Sequence, residues 1–153
     1  MKAKFILSGT VLCLLAAACF AADAFTGTWK LNEAKSKLGA GLGKNSTVTY
    51  EMAGDSVKVT IEGTTAEGKS FTDAWTGKFD GKDYPVTGNS TTDSRSYTKI
   101  NDHTLEVTGK KDGKVTITVR IVVAADGKSR TVSGSLTDAS GKKVTMTAVY
   151  DKQ

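Results

Sequence analysis

Glycine-centred turn sequences recur along the chain and leave room only for short strands between them. Glycine adopts a positive φ without steric cost, and a neighbouring Asp or Ser caps the turn, which is typical of hairpins. Six such sequences are Gly54-Asp55, Glu67-Gly68-Lys69, Asp80-Gly81-Lys82, Asp112-Gly113-Lys114, Asp126-Gly127-Lys128 and Ser140-Gly141-Lys142. With two weaker breaks near residues 88–90 and 101–102, the intervals are roughly 10 to 14 residues, which predicts a meander of short strands and no helix of ordinary length between these turns.

Apolar and polar residues alternate between these turns. Val57, Val59 and Ile61 share one face of a predicted strand, and the longer run 115–123 has Val or Ile at every odd position. One buried face and one wet face indicate antiparallel strands around a single core. Ten strands are predicted, at about 25–31, 46–53, 56–64, 70–79, 83–88, 94–100, 103–110, 114–124, 129–137 and 143–151.

Strands linked by hairpins leave few unpaired edges only if the sheet closes on itself. The sequence therefore predicts an all-β, antiparallel up-and-down barrel of eight to ten strands, with a two-sheet sandwich as the alternative. The one long connection is 32–45, where residues 33–38 have the composition for one or two helical turns.

The first 24 residues have the layout of a secretory signal peptide. Lys2 and Lys4 are followed by an uncharged, mostly apolar stretch from Phe5 to Ala18, and small residues continue through positions 21–24, where we expect cleavage. The apolar stretch of about 14 residues is shorter than the roughly 20 that span a bilayer. We therefore expect an exported, periplasmic or extracellular protein without a stable membrane span, whose single domain is 25–153.

Both cysteines, Cys13 and Cys19, lie in this leader, so the predicted mature domain has no disulfide and no thiol nucleophile. Cys19 directly follows three alanines, which leaves lipidation of Cys19 as a minor alternative. The leucine expected three positions before a lipidated cysteine is replaced by Ala16.

Charge and residue chemistry exclude several classes of function. The chain has 21 basic and 16 acidic residues, and without Lys2 and Lys4 the balance is 19 to 16, or +3. These charges are scattered, whereas nucleic-acid binding needs a concentrated basic patch. His103 is the only histidine, and the predicted mature domain has no cysteine that could complete a zinc site with it. A Ser-His-Asp triad would have to use this one histidine, and no Gly-x-Ser-x-Gly element accompanies it, so we expect no metal and no cofactor. We expect a protein that is not an enzyme.

The two ends of the predicted domain resemble the calycin superfamily, which contains lipocalins and fatty-acid-binding proteins. The domain begins Phe25-Thr26-Gly27-Thr28-Trp29-Lys30-Leu31 and its last strand ends Thr147-Ala148-Val149-Tyr150-Asp151. The Gly-x-Trp element at the first strand is the signature of that superfamily. The resemblance implies a lipocalin-like barrel in which Trp29 plugs one end and the interior takes a small hydrophobic ligand.

Two features depart from the fatty-acid-binding branch. Ala148 stands where that branch usually has an arginine, so half of its carboxylate clamp is missing. The segment 32–45 is also too short and too rich in glycine for the helix-turn-helix lid of that branch.

Arg120 receives two conflicting predictions. Its spacing from the turn at Gly113 resembles that of a cavity arginine in the same branch, which would make it the anchor for an acidic head group. Side-chain alternation along the strand places Arg120 on the outer face, because an inward Arg120 would turn the apolar side chains of Val119 and Ile121 toward water.

The aromatic strand supplies the other candidate ligand contacts. Phe71, Trp75 and Phe79 alternate on one face, with Asp73 among them, and we expect Tyr50 and Tyr150 to contribute from neighbouring walls. Cavity volume depends on strand register, so two functions remain open. They are non-catalytic binding of a small apolar or amphipathic ligand, and a filled barrel that serves as a structural or protein-interaction module.

Overall fold

The computed structural model describes residues 24–88 and 91–153, so most of the predicted signal segment, including Cys19, lies outside it. Ten strands form one closed barrel in which every strand pairs antiparallel with its neighbours in sequence and β1 pairs with β10. The strands are β1 Gly27–Lys37, β2 Lys44–Ala53, β3 Ser56–Thr64, β4 Ser70–Gly77, β5 Tyr84–Thr87, β6 Ser94–Asn101, β7 Thr104–Lys111, β8 Lys114–Val123, β9 Ser129–Thr137 and β10 Lys143–Lys152. The predicted up-and-down barrel is confirmed, and the sandwich alternative is wrong.

The turn glycines act as the sequence predicts. All six glycines of the hairpin sequences have φ between 65° and 85°. In that left-handed region a Cβ is strained, so these positions favour glycine and fix where each strand ends. Strand boundaries β2 to β10 therefore lie within about two residues of the predicted ones.

The predicted helical turns at 33–38 are wrong, because β1 continues to Lys37. The pairing with β10 slips between Asn32 and Lys37, which opposes Asn32 to Val149 but Lys37 to Thr147. Inside this bulged segment of β1 the hydroxyl of Ser36 donates to the Asn32 carbonyl at 2.7 Å and accepts the Val149 N–H at 2.9 Å. A side-chain hydroxyl thus replaces a ladder hydrogen bond, so the chain stays in the sheet.

The barrel has two different ends. The β1–β2, β3–β4, β5–β6, β7–β8 and β9–β10 connections lie at one end, which we call the open end, and the other connections and both termini of the domain lie at the closed end. Closed-end backbone bonds tie the termini in, for example from Gln153 N–H to the Thr28 carbonyl at 3.0 Å. No helix in the described part of the chain is long and apolar enough to cross a membrane.

A β-bulge changes the predicted core of β8. Gly109 pairs with Ile117 but Lys110 pairs with Val115, so Thr116 is an extra residue on β8. The bulge reverses the side-chain alternation beyond it, and Val115 is 53% exposed instead of inward. The inward orientation of the other odd positions, from Ile117 to Val123, agrees with the alternation.

Candidate ligand-binding site

The closed end of the barrel is filled by aromatic side chains. Trp29 is fully buried and its indole N–H donates to the Phe25 carbonyl at 2.8 Å. Phe25 meets Phe79 edge-on at 6.1 Å between ring centroids, and Phe79 stacks on Trp75 at 6.4 Å. These contacts fill the closed end of the barrel with aromatic side chains.

A single arginine from β9 covers this aromatic plug. The guanidinium carbon of Arg130 lies 5.0 Å from the ring centroids of Trp29 and Tyr50 and 4.8 Å from that of Tyr150. Lys152 approaches the Trp29 ring as well, at 5.1 Å. Aromatic faces attract a cation, and this attraction is strongest where water is excluded. Arg130 is 2% exposed, so the three rings form its immediate environment.

The other half of the barrel contains a cavity that opens between the five connections of the open end. The outer chamber has a volume of about 460 Å³ and an inner chamber adds about 90 Å³. Asn45, Arg95, Ile117 and Leu136 line both chambers, so the two chambers adjoin at these side chains. A volume of this size lies within the range of small-molecule sites, roughly 300–1,000 Å³.

A buried ion pair lies where the two chambers meet. Nη2 of Arg95 on β6 donates to Oδ2 of Asp73 on β4 at 3.1 Å, and both side chains are at most 4% exposed. Nη2 also lies 3.5 Å from the Thr92 hydroxyl, and the Arg95 carbonyl accepts the indole N–H of Trp75 at 2.8 Å. Arg95 is therefore held from both its backbone and its side chain. Such restraint keeps its remaining N–H groups directed into the cavity.

Several buried N–H groups of the two interior arginines have no hydrogen-bond partner within the described residues. They are Nη1 of Arg95 and Nε and Nη1 of Arg130. The rings around Arg130 attract its charge but accept no in-plane hydrogen bond. Burying a charged donor without a partner is unfavourable, so these groups are the strongest candidates for contacts with a polar ligand group.

Two tyrosines beside the arginines, Tyr97 and Tyr150, have raised pKa values. Burial raises the pKa of Tyr150 to about 12, with Arg130 opposing the shift and Tyr50 adding to it. Burial also raises the pKa of Tyr97, and Arg95 opposes that shift. For Arg95, burial lowers the pKa, but Tyr97 and Asp73 more than offset this and the net shift is upward. The inner chamber therefore presents cations and neutral phenols at physiological pH.

Five of the six predicted ligand contacts lie inside the barrel, in three places, and the sixth, Arg120, does not. Tyr50 and Tyr150 line the inner chamber and Phe71 lines the outer one. Trp75 and Phe79 belong to the aromatic plug and do not line either chamber, because the strand face they share continues below the cavity. Trp29, predicted as the plug, lies at the closed end.

The prediction of Arg120 as a cavity anchor is wrong. Its side chain lies on the outer face of β8, is 57% exposed and forms an ion pair with Glu106 on β7. The parity argument gave the correct side, because turning Arg120 inward would expose Val119 and Ile121. Arg120 therefore cannot reach a ligand in the cavity.

Sequence reasoning missed the arginines that do face the interior. Arg95 shares its strand parity with Tyr97, and Arg130 shares its parity with Val132, so alternation contained the signal. The signal was weak because serine and threonine neighbours give these strands little contrast between the two faces. The position of Asp73 on the aromatic face of β4 was the one indication of an internal charge.

Within the described residues no group of three or more His, Cys, Asp or Glu could hold a metal ion. No protein-family model and no curated protein matches the sequence.

Solved structures match over most of the chain. A redesigned β barrel, b11L5F_LGL, is 12% identical, covers 89% of this chain and 97% of its own, and has a TM-score of 0.47. EF1p2_mFAP2b, solved bound to DFHBI, is 10% identical over 87% of this chain and 97% of its own, with a TM-score of 0.52. At this identity the second likeness supports the barrel fold alone.

Proposed function

We propose that this protein is a non-catalytic binding protein that holds one small amphipathic molecule inside its barrel. The apolar part lies in the outer chamber and the polar part reaches the arginines of the inner chamber. The observation that carries the proposal is a partly apolar cavity, open at one end, that adjoins an inner chamber lined by buried guanidinium groups without hydrogen-bond partners among the described residues.

The chemistry of the cavity wall supports an amphipathic ligand over a purely polar one. Leu42, Phe71, Ile117 and Leu136 contribute apolar surface to the outer chamber, whose burial by a ligand is worth about 25 cal/mol per Å². Deeper in the barrel, Arg95 and Arg130 line the inner chamber together with three tyrosines. Most of the binding energy then comes from the apolar part, and the polar part determines orientation.

A filled barrel that acts only as a structural or protein-interaction module is the second candidate function. The aromatic plug favours it for the closed half, where side chains occupy the interior. A purely structural role accounts less well for the open half. Side chains that line a cavity lose packing contacts, and buried N–H groups without partners cost free energy, so neither feature would stabilise a filled barrel.

Kinship with calycins and export belong to the same proposal. Trp29 on the first strand, held under Arg130 from a late strand, is similar to the plug of that superfamily. The barrel bound to DFHBI is a protein of similar fold that holds a small molecule in its solved structure. The leader at 1–24 supports export, with lipidation of Cys19 as the alternative anchor.

Native mass spectrometry of protein purified from its own host tests the proposal most directly. We expect a co-purifying small molecule in a one-to-one complex. Leu136→Trp fills the junction of the two chambers and should abolish this complex. Val122→Trp adds the same ring on the outer face, where Val122 is 42% exposed, and should leave the complex intact.

Two results would argue against ligand binding in the cavity. A bare protein mass that persists after titration with decanol and decanoate favours the filled barrel. A complex that survives Leu136→Trp, with the fold verified by circular dichroism, places the ligand outside the cavity.

A further inference from the structure

The charges buried in the barrel are unequal. Among the described residues, the buried ionisable side chains with a formal charge are Asp73, Arg95 and Arg130. Two guanidinium groups against one carboxylate leave one net positive charge inside. An imbalance of this kind is unusual in a protein interior, where charges are normally paired.

The two arginines differ in how their charge is compensated. Arg95 has the Asp73 carboxylate at 3.1 Å, whereas no carboxylate among the described residues pairs with Arg130. Ring faces at 4.8–5.0 Å stabilise Arg130 but do not neutralise it. The uncompensated charge therefore acts on whatever occupies the inner chamber, which both arginines line.

We propose that Asp73 sets the charge preference of the cavity, so that the barrel selects amphiphiles whose polar end bears one negative charge. This inference rests on the proposed function, because it concerns the ligand of the same cavity. Asp73 acts by neutralising one arginine in advance and is a specificity-determining residue that need not touch the ligand.

Charge counting in a weakly polar interior gives the expected order of affinities. A neutral ligand leaves the single positive charge uncompensated, whereas a monoanion reduces the buried sum to zero and accepts hydrogen bonds from Arg95 Nη1 or Arg130. A dianion brings a second negative charge, which has no cation to pair with and is repelled by the Asp73 carboxylate. The free-energy cost of desolvating this second charge is therefore not offset. Around the entrance, Glu67, Lys111 and Asp138 face solvent and are screened, so they alter this order little.

Competition binding with three probes whose alkyl tails differ by at most one carbon measures the preference. The probes are decanol, decanoate and decylmalonate, which near neutral pH have no, one and two negative charges at the head. We expect purified wild-type protein to bind decanoate roughly tenfold or more tightly than either of the others, the fold-change of about one charge-assisted hydrogen bond.

Three variants separate the charge count from local contacts. Asp73→Asn raises the buried sum to two positive charges and should shift the preference roughly tenfold toward decylmalonate. Asp73→Asn combined with Arg95→Gln restores a sum of one and should restore the preference for decanoate. The control is Glu106→Gln, which removes the carboxylate of the equivalent ion pair on the outer face and should change nothing.

Each outcome decides the matter. Equal affinities of wild type for decanol, decanoate and decylmalonate overturn the charge preference but leave the binding function intact. An unchanged decylmalonate-to-decanoate ratio in Asp73→Asn overturns the role of Asp73. If Asp73→Asn fails to fold by circular dichroism, the double variant decides, because its buried sum is still one positive charge and loss of its preference for decanoate also overturns the charge count. Failure of all three probes to bind wild type removes the proposed function together with this inference.

Discussion

The closed and open halves of the barrel are formed by the same ten strands but differ in how far side chains fill the interior. In the closed half, large rings pack against each other and Tyr84 lies against Gly77, where an added Cβ would approach its ring to 2.6 Å. In the open half, side chains of the same ten strands leave a cavity and a buried ion pair. Aromatic packing and the cavity are therefore divided along the barrel axis, so substitutions in the two halves should have separable effects on stability and on the proposed binding.

Trp29→Ala should have the largest effect on stability. It removes a fully buried ring and the surface under Arg130, and truncating a buried tryptophan costs about 3–5 kcal/mol. Urea unfolding followed by circular dichroism measures this loss. If the free energy of unfolding falls by less than about 1 kcal/mol, the closed end is not the stabilising half.

Arg95→Met should destabilise the protein by about 3 kcal/mol, because it leaves the Asp73 carboxylate buried without its cation. The double variant Asp73→Leu with Arg95→Met removes both charges and should regain most of that loss. Urea unfolding of the wild type, both single variants and the double variant gives the coupling energy. Additive losses would show that the pair is not coupled.

Alkaline pH should weaken the protein through its buried tyrosines. Because burial raises the pKa of Tyr150 from 10.0 to about 12, the unfolded chain loses this proton first. Tyr150 then contributes stability that is complete below pH 10 and is lost as the pH rises to 12, on the order of 2–3 kcal/mol.

The control for this pH dependence is Tyr150→Phe, which lacks the titrating hydroxyl and its hydrogen bond to the Asn45 carbonyl. The difference in unfolding free energy between wild type and Tyr150→Phe should narrow between pH 10 and 12. A constant difference over that range contradicts the raised pKa of Tyr150.

Arg120→Gln should have the smallest effect. This arginine pairs with Glu106 on the outer face, where both side chains are about half exposed, and exposed ion pairs contribute about 0–1 kcal/mol. Binding of decanoate should be unchanged. A loss of decanoate affinity in Arg120→Gln would mean that the outer face contributes to recognition.

Sequence reasoning predicted the barrel well because its signals are local. Turn glycines and alternation act over a few residues, and strands such as β3 and β9 match their predicted bounds. The exceptions, β1 beyond Asn32 and β8 at Thr116, are bulges, in which partners distant in sequence decide the register. The cavity lining was predicted less completely, since Tyr50, Phe71 and Tyr150 line the cavity as expected whereas Arg95 and Arg130 were not among the predicted residues.

The amino-acid sequence by itself predicted ten strands and their order around the barrel, because glycine conformation and side-chain alternation are properties of neighbouring residues, whereas it supported two opposing predictions for the side on which Arg120 lies. Only the tertiary structure decided which end of the barrel is filled, where the cavity lies and that Asp73 on β4 pairs with Arg95 on β6, with β5 between them. Those features depend on the register between strands far apart in sequence, and closure of the barrel fixes that register.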